Sequence, residues 1–132
     1  MAKEVTTVSE EGYQADNQIR DFDLTIDATG EEAPDTLEAL LAAYTSCYVP
    51  ALRVGAEQRG VGDLGRIEID ATGELNDDDD KLQSVRFTVR TETDIDDDQA
   101  DEVVARANQL CKVHDALKAE LEADVTVDGG AA

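Results

Sequence analysis

The chain has 132 residues, one domain's length, and carries 32 acids against 11 lysines and arginines, a formal net charge of −21. That charge disfavours nucleic acid, anionic membrane and acidic partners on Coulomb grounds. Apolar residues make up 41%, enough for a core, and their strong periodicity argues against disorder; with aromatics at 4% that core is a thin one of Val, Leu, Ile and Ala that oligomerisation would help to cover.

Residues 4–9 and 19–27 are strand-like; the second alternates Ile19, Asp21, Asp23 and Thr25 against Arg20, Phe22, Leu24 and Ile26. Gly12 and Asn17 supply turn signals between them, and residues 28–35 are loop by composition. A long helix follows, capped by Asp35 or Thr36 and ended by Gly60 and Gly62. Leu37, Leu40, Leu41, Tyr44, Cys47, Tyr48, Ala51 and Gly55 fall at helical spacing along it. Pro50 removes the bond to the Ser46 carbonyl and predicts a kink beside Cys47.

Residues 64–75 and 82–93 read as two strands joined by an acidic turn, and a second helix is predicted over 97–109 with Asp96, Asp97 and Asp98 in its first turn. Cys111 opens a third, short helix to about residue 120; residues 123–127 form a last strand, and the tail DGGAA reads as frayed. Asp94, Asp96 and Asp98 are spaced like the start of a calcium loop. Gln99 and Ala105 stand where that loop needs Gly and Glu, so a solvated acidic turn is the better reading. His114, the single histidine, has no Cys or His partner at zinc spacing and is expected on a surface turn of the last helix. No phosphate-cradling glycine loop and no Ser–His–Asp set is visible.

The acids run along the whole chain, as suits a high-salt cytoplasm where screening relieves their mutual repulsion. No signal peptide and no bilayer-spanning run is legible. Either cysteine could be a small buried hydrophobe. A reducing compartment instead favours two thiols with a chemical use. Cys111 sits at a helix start, where the dipole and free N–H groups lower a thiol's pKa, and Lys112 adds positive charge. A thiolate at the edge of an apolar pocket suits peroxide chemistry: sulfur attacks the O–O bond and a second thiol resolves the sulfenic acid.

Three segments carry a family resemblance. TLEALLAAYTSCYVPALRV resembles the central-helix signature of the OsmC/Ohr family, CKVHDAL resembles its second motif, Cys-Pro-Val-x-x-Ala-Leu, and IRDFDLTID is similar to the strand that precedes the helix. The resemblance covers essentially the whole chain as one domain, 1–132. It implies an α+β, OsmC-like fold: N-terminal antiparallel strands, a long central helix, a β-β-α-α-β tail and an intertwined homodimer. It also implies a thiol peroxidase for organic hydroperoxides, with Cys47 peroxidatic, Cys111 resolving, Arg20 and Glu38 holding the Cys47 thiolate, and an external dithiol as reductant. No metal or organic cofactor is implied. Glu38 and Cys47 lie nine residues apart on one helix, about half a turn out of phase and about 13 Å along the axis, so Glu38 would act on a partner's thiol. Tyr44, Tyr48 and Leu52 are expected to line an apolar entry. The rival is the same dimeric fold binding a small apolar ligand without turnover.

Overall fold

The computed structural model describes residues 1–132. Its elements are strands β1 (Thr6–Val8), β2 (Gln14–Ile19) and β3 (Phe22–Asp27), helix α1 (Thr36–Gln58), strands β4 (Ile67–Leu75) and β5 (Leu82–Thr91), helices α2 (Asp97–Leu110) and α3 (Lys112–Ala116), a 3-10 turn at Ala119–Leu121 and strand β6 (Asp124–Gly129). This is an α+β chain with two three-stranded sheets, ordered β1-β2-β3 and β4-β5-β6. It forms two compact units, residues 1–42 and 43–132, and the division falls inside α1.

The first unit is an antiparallel meander with little apolar content facing inward. The segment 19–27, expected as one strand, is broken at Arg20 and Asp21. Ile19 pairs with Phe22, so the two residues between them form a tight hairpin turn. Arg20 takes a left-handed φ of 55° there, and its guanidinium lies 5.0 Å over the Phe22 ring. Asn17, read as a turn signal, instead sits within β2, where cross-strand bonds satisfy its amide. Thr7 Oγ1 donates to its Oδ1 at 2.7 Å, and its Nδ2 donates to the Leu24 carbonyl at 2.9 Å. The loop after β3 is organised by Asp27, whose carboxylate accepts from Thr29 N–H, Thr29 Oγ1 and Glu32 N–H. Those bonds, the Thr29 hydroxyl first, hold the Asp27 carboxyl below the usual range.

The start of α1 is a capping box. Glu38 N–H donates to Asp35 Oδ1 at 2.8 Å, and Asp35 N–H donates to Glu38 Oε1 at 2.9 Å. The helix then runs unbroken through Pro50 to Gln58.

The second unit holds the core. From α1 it takes Tyr44, Tyr48, Ala51, Leu52 and Ala56; from β5, Val85, Phe87 and Val89; from α2, Ala100, Val103 and Ala107. The Phe87 ring packs edge-on against Tyr44 and Tyr48 at 4.7 and 5.3 Å. At Gly55 the two helices cross closely: a Cβ there would come within 3.3 Å of the Val103 carbonyl. Strands β4 and β5 pair antiparallel as their alternation predicted, and β6 pairs parallel to β5. The tail is tied down, not frayed, because Gly130 and Ala132 N–H donate to the Thr93 and Thr91 carbonyls. Asp96 caps α2 in a second capping box, with Gln99. The third helix is five residues long and gives way to the 3-10 turn, shorter than the helix to residue 120 expected from the sequence. Leu117 ends it in an extended conformation.

Candidate active site

Cys47 and Cys111, 64 positions apart in sequence, share one site in the second unit. Cys47 is half-buried on α1 and Cys111 is fully buried. Cys111 is where two helices meet: its N–H closes α2 on the Ala107 carbonyl, and its thiol caps α3 by accepting the His114 N–H at 3.5 Å.

The local electrostatics reverse one expectation. The sequence placed the activating helix start at Cys111. In the structure the free N–H groups of Val113 and Lys112 serve Cys47. Burial pushes the Cys47 thiol up. The Val113 N–H, the Cys111 thiol, the Lys112 N–H and the Lys112 charge outweigh burial, and the thiol lies below the ordinary cysteine value. Burial pushes the Cys111 thiol up as well. The opposing His114 N–H does not overcome it, and Cys47 reinforces the rise as a hydrogen-bond and charge partner. The pair is therefore asymmetric: Cys111 keeps its proton and donates it toward a Cys47 sulfur that gives its proton up readily.

Cys47 opens to a cavity of about 290 Å³ lined by Pro50, Ala51, Val54, Leu110 and Lys112. Tyr44, Tyr48 and Leu52, expected to line the entry, are no more than 1% exposed and face the core. The reason is helical phase. Positions 47, 50, 51 and 54 share one stripe of α1, and 44, 48 and 52 share the next.

His114 corrects the sequence reading more sharply. It is buried, at 6% exposure, not placed on a surface turn. Its Nδ1 pairs with the Tyr44 hydroxyl at 2.5 Å and its Nε2 with Glu122 Oε2 at 2.7 Å. The Tyr44 oxygen also accepts the Ala123 N–H at 2.9 Å. A proton on Nε2, donated to Glu122, leaves Nδ1 free to accept from Tyr44, so both ring nitrogens and the Tyr44 hydroxyl have partners. This network anchors α3 and with it the backbone N–H groups at both sulfurs. A lone histidine carries no signal of it, because its partners lie 70 positions before and eight after it.

Arg20 and Glu38 lie in the first unit, Arg20 at the hairpin turn and Glu38 in the capping box. No group of three or more His, Cys, Asp or Glu side chains converges to hold a metal ion, and no helix is long and apolar enough to cross a membrane.

The sequence profile described as "OsmC-like protein" matches residues 8–126. The chain belongs to the OsmC-like family. An uncharacterized protein of the halophilic archaeon Haloferax volcanii is 48% identical over 128 residues, covering 97% of this chain and 96% of its own. Among solved structures, an OsmC-like protein from Mycoplasma pneumoniae superposes with a TM-score of 0.83 at 18% identity, covering 97% of this chain and 96% of its own. The organic hydroperoxide resistance protein OhrB of Bacillus subtilis superposes at 0.73 and 20% identity, covering 97% and 98%. At such identities the likeness establishes the OsmC-like fold.

Proposed function

We propose that this OsmC-like chain is a cytoplasmic thiol peroxidase for organic hydroperoxides, working as a homodimer in concentrated salt. The observation that carries the reading is the asymmetric pair: a Cys47 thiol held low, facing both an apolar cavity and a protonated Cys111. The Cys47 thiolate attacks the distal peroxide oxygen, the O–O bond breaks, and the alcohol leaves with a proton, giving Cys47 sulfenic acid. The Cys111 sulfur then attacks the Cys47 sulfur; its proton and the sulfenic hydroxyl leave as water, and a disulfide forms. An external dithiol reduces that disulfide and is itself oxidised.

A second copy would cover the apolar side chains that residues 1–42 leave exposed, among them Val5, Val8, Phe22 and Leu24. In that assembly Arg20 and Glu38 would serve the partner's Cys47.

The test is consumption of cumene hydroperoxide with dithiothreitol in molar KCl. Cys47→Ser should abolish it, and Cys111→Ser should accumulate a sulfenic acid trappable by dimedone. One equivalent of peroxide should give an intramolecular 47–111 disulfide by mass spectrometry. No disulfide and no consumption would leave a ligand-binding fold without turnover.

A further inference from the structure

We propose that Lys112 makes the Cys47 cavity selective for substrates that carry an anionic group on an apolar body. The other side chains that line the cavity with Cys47 are Pro50, Ala51, Val54 and Leu110, none of them charged. Lys112 is the single charged residue on that wall, in a chain with 32 acids available to neutralise it. Yet it enters no ion pair: the ones formed use Arg53, Arg66, Arg90 and His114. An ammonium without a carboxylate partner, beside an apolar hollow and a reactive thiol, is placed to receive an anion, carboxylate or phosphate, whose apolar part fills the space beyond. Lys112 is exposed, so the contact is a surface one of modest strength.

The net charge of −21 would repel such a substrate at low salt. At about 1 M salt the screening length falls to about 3 Å, so the distant acids drop out and only the contact with Lys112 remains. Selectivity of this kind therefore works best in the concentrated salt that the acid-rich surface suits.

The inference rests on Cys47 as the reacting thiol, and its first test does not require turnover. In 2 M KCl, alkylation of Cys47 is followed by peptide mass spectrometry with iodoacetate, which is anionic, and with iodoacetamide, its neutral counterpart. The ratio of the two rates cancels the thiol's own reactivity. Lys112→Gln should lower the iodoacetate-to-iodoacetamide ratio by roughly two- to five-fold, the scale of an exposed charge contact. Lys112→Arg should keep the ratio. An unchanged ratio in Lys112→Gln, including an equal slowing with both reagents, overturns the proposal, because Lys112 would then act on the thiol alone. The second test compares cumene hydroperoxide with its para-carboxylate. Lys112→Gln weakens the Cys47 thiolate for both peroxides, but it should lower kcat/KM for the carboxylate several-fold more than for the neutral peroxide; equal changes for both overturn the proposal. If neither peroxide is consumed, the peroxidase reading fails while the alkylation ratio still decides the role of Lys112.

Discussion

Residues 1–42 and residues 43–132 are held by different means. Every buried apolar side chain lies in the second unit, from Tyr44 to Cys111. The one buried residue of the first unit is Asp27, a carboxylate fixed by local hydrogen bonds. The first unit instead exposes Val5, Val8, Tyr13, Phe22, Leu24 and Leu40, most of the large apolar residues left uncovered in the whole chain. It also carries more net negative charge for its size, with eleven acids against Lys3 and Arg20. A sheet with cross-strand polar bonds and no core gains little from the hydrophobic effect until something covers its apolar face. The contrast places both thiols in the part that folds around its own core, and most of the uncovered large apolar side chains in the part that does not.

The sharpest way to break this contrast is to truncate one phenylalanine in each unit. Phe87→Ala should cost about 3–5 kcal/mol by denaturant unfolding in molar salt, since the ring is fully buried between two tyrosines. Phe22→Ala should cost less than about 0.5 kcal/mol in an isolated chain, the ring being 61% exposed. A cost above about 2 kcal/mol that falls on dilution would show that a second copy buries Phe22.

Salt sharpens the contrast next. Melting temperature should rise from low salt into the molar range as self-repulsion is screened. By hydrogen exchange the amides of β1 to β3 should lose protection before those of β5 as salt is withdrawn. A flat curve, or β5 opening first, would remove the link between charge density and the missing core.

The two capping boxes allow a like-for-like comparison. Asp35→Ala and Asp96→Ala should each cost about 1 kcal/mol. Glu38→Gln keeps a capping box and removes the charge. Unchanged stability with lost peroxidase activity would give Glu38 a role at a thiol; unchanged activity would leave it a cap.

The smallest effect is the acid response. The folded Asp27 carboxyl lies below its unfolded value, so its contribution is present above that unfolded value and is lost as pH falls toward the folded one. Wild type should therefore lose stability below about pH 4 more steeply than Asp27→Asn, as read from melting curves.

Much of the second unit was legible because its periodicity is strong. Val85, Phe87 and Val89 alternate as a half-buried strand must, the long helix has its glycine stop, and Asp96 announces the start of α2. The first unit was read less well. Strand β2, QADNQI, lacks a large apolar alternation, and Arg20 with Asp21 carries no glycine to mark the turn.

The sequence by itself determined most of the elements, β2 excepted, and that two thiols sit on or beside helices, because spacing, caps and breakers act over a few residues. Tertiary structure alone decided what those helices do to the thiols. It set α3 so that its free N–H groups meet Cys47, kept Cys111 protonated by burial, buried His114 between Tyr44 and Glu122, and turned the stripe of Pro50, Ala51 and Val54, not that of Tyr44 and Tyr48, toward the cavity. Each of these depends on desolvation and on partners far apart in the chain, and neither has a signature in local spacing.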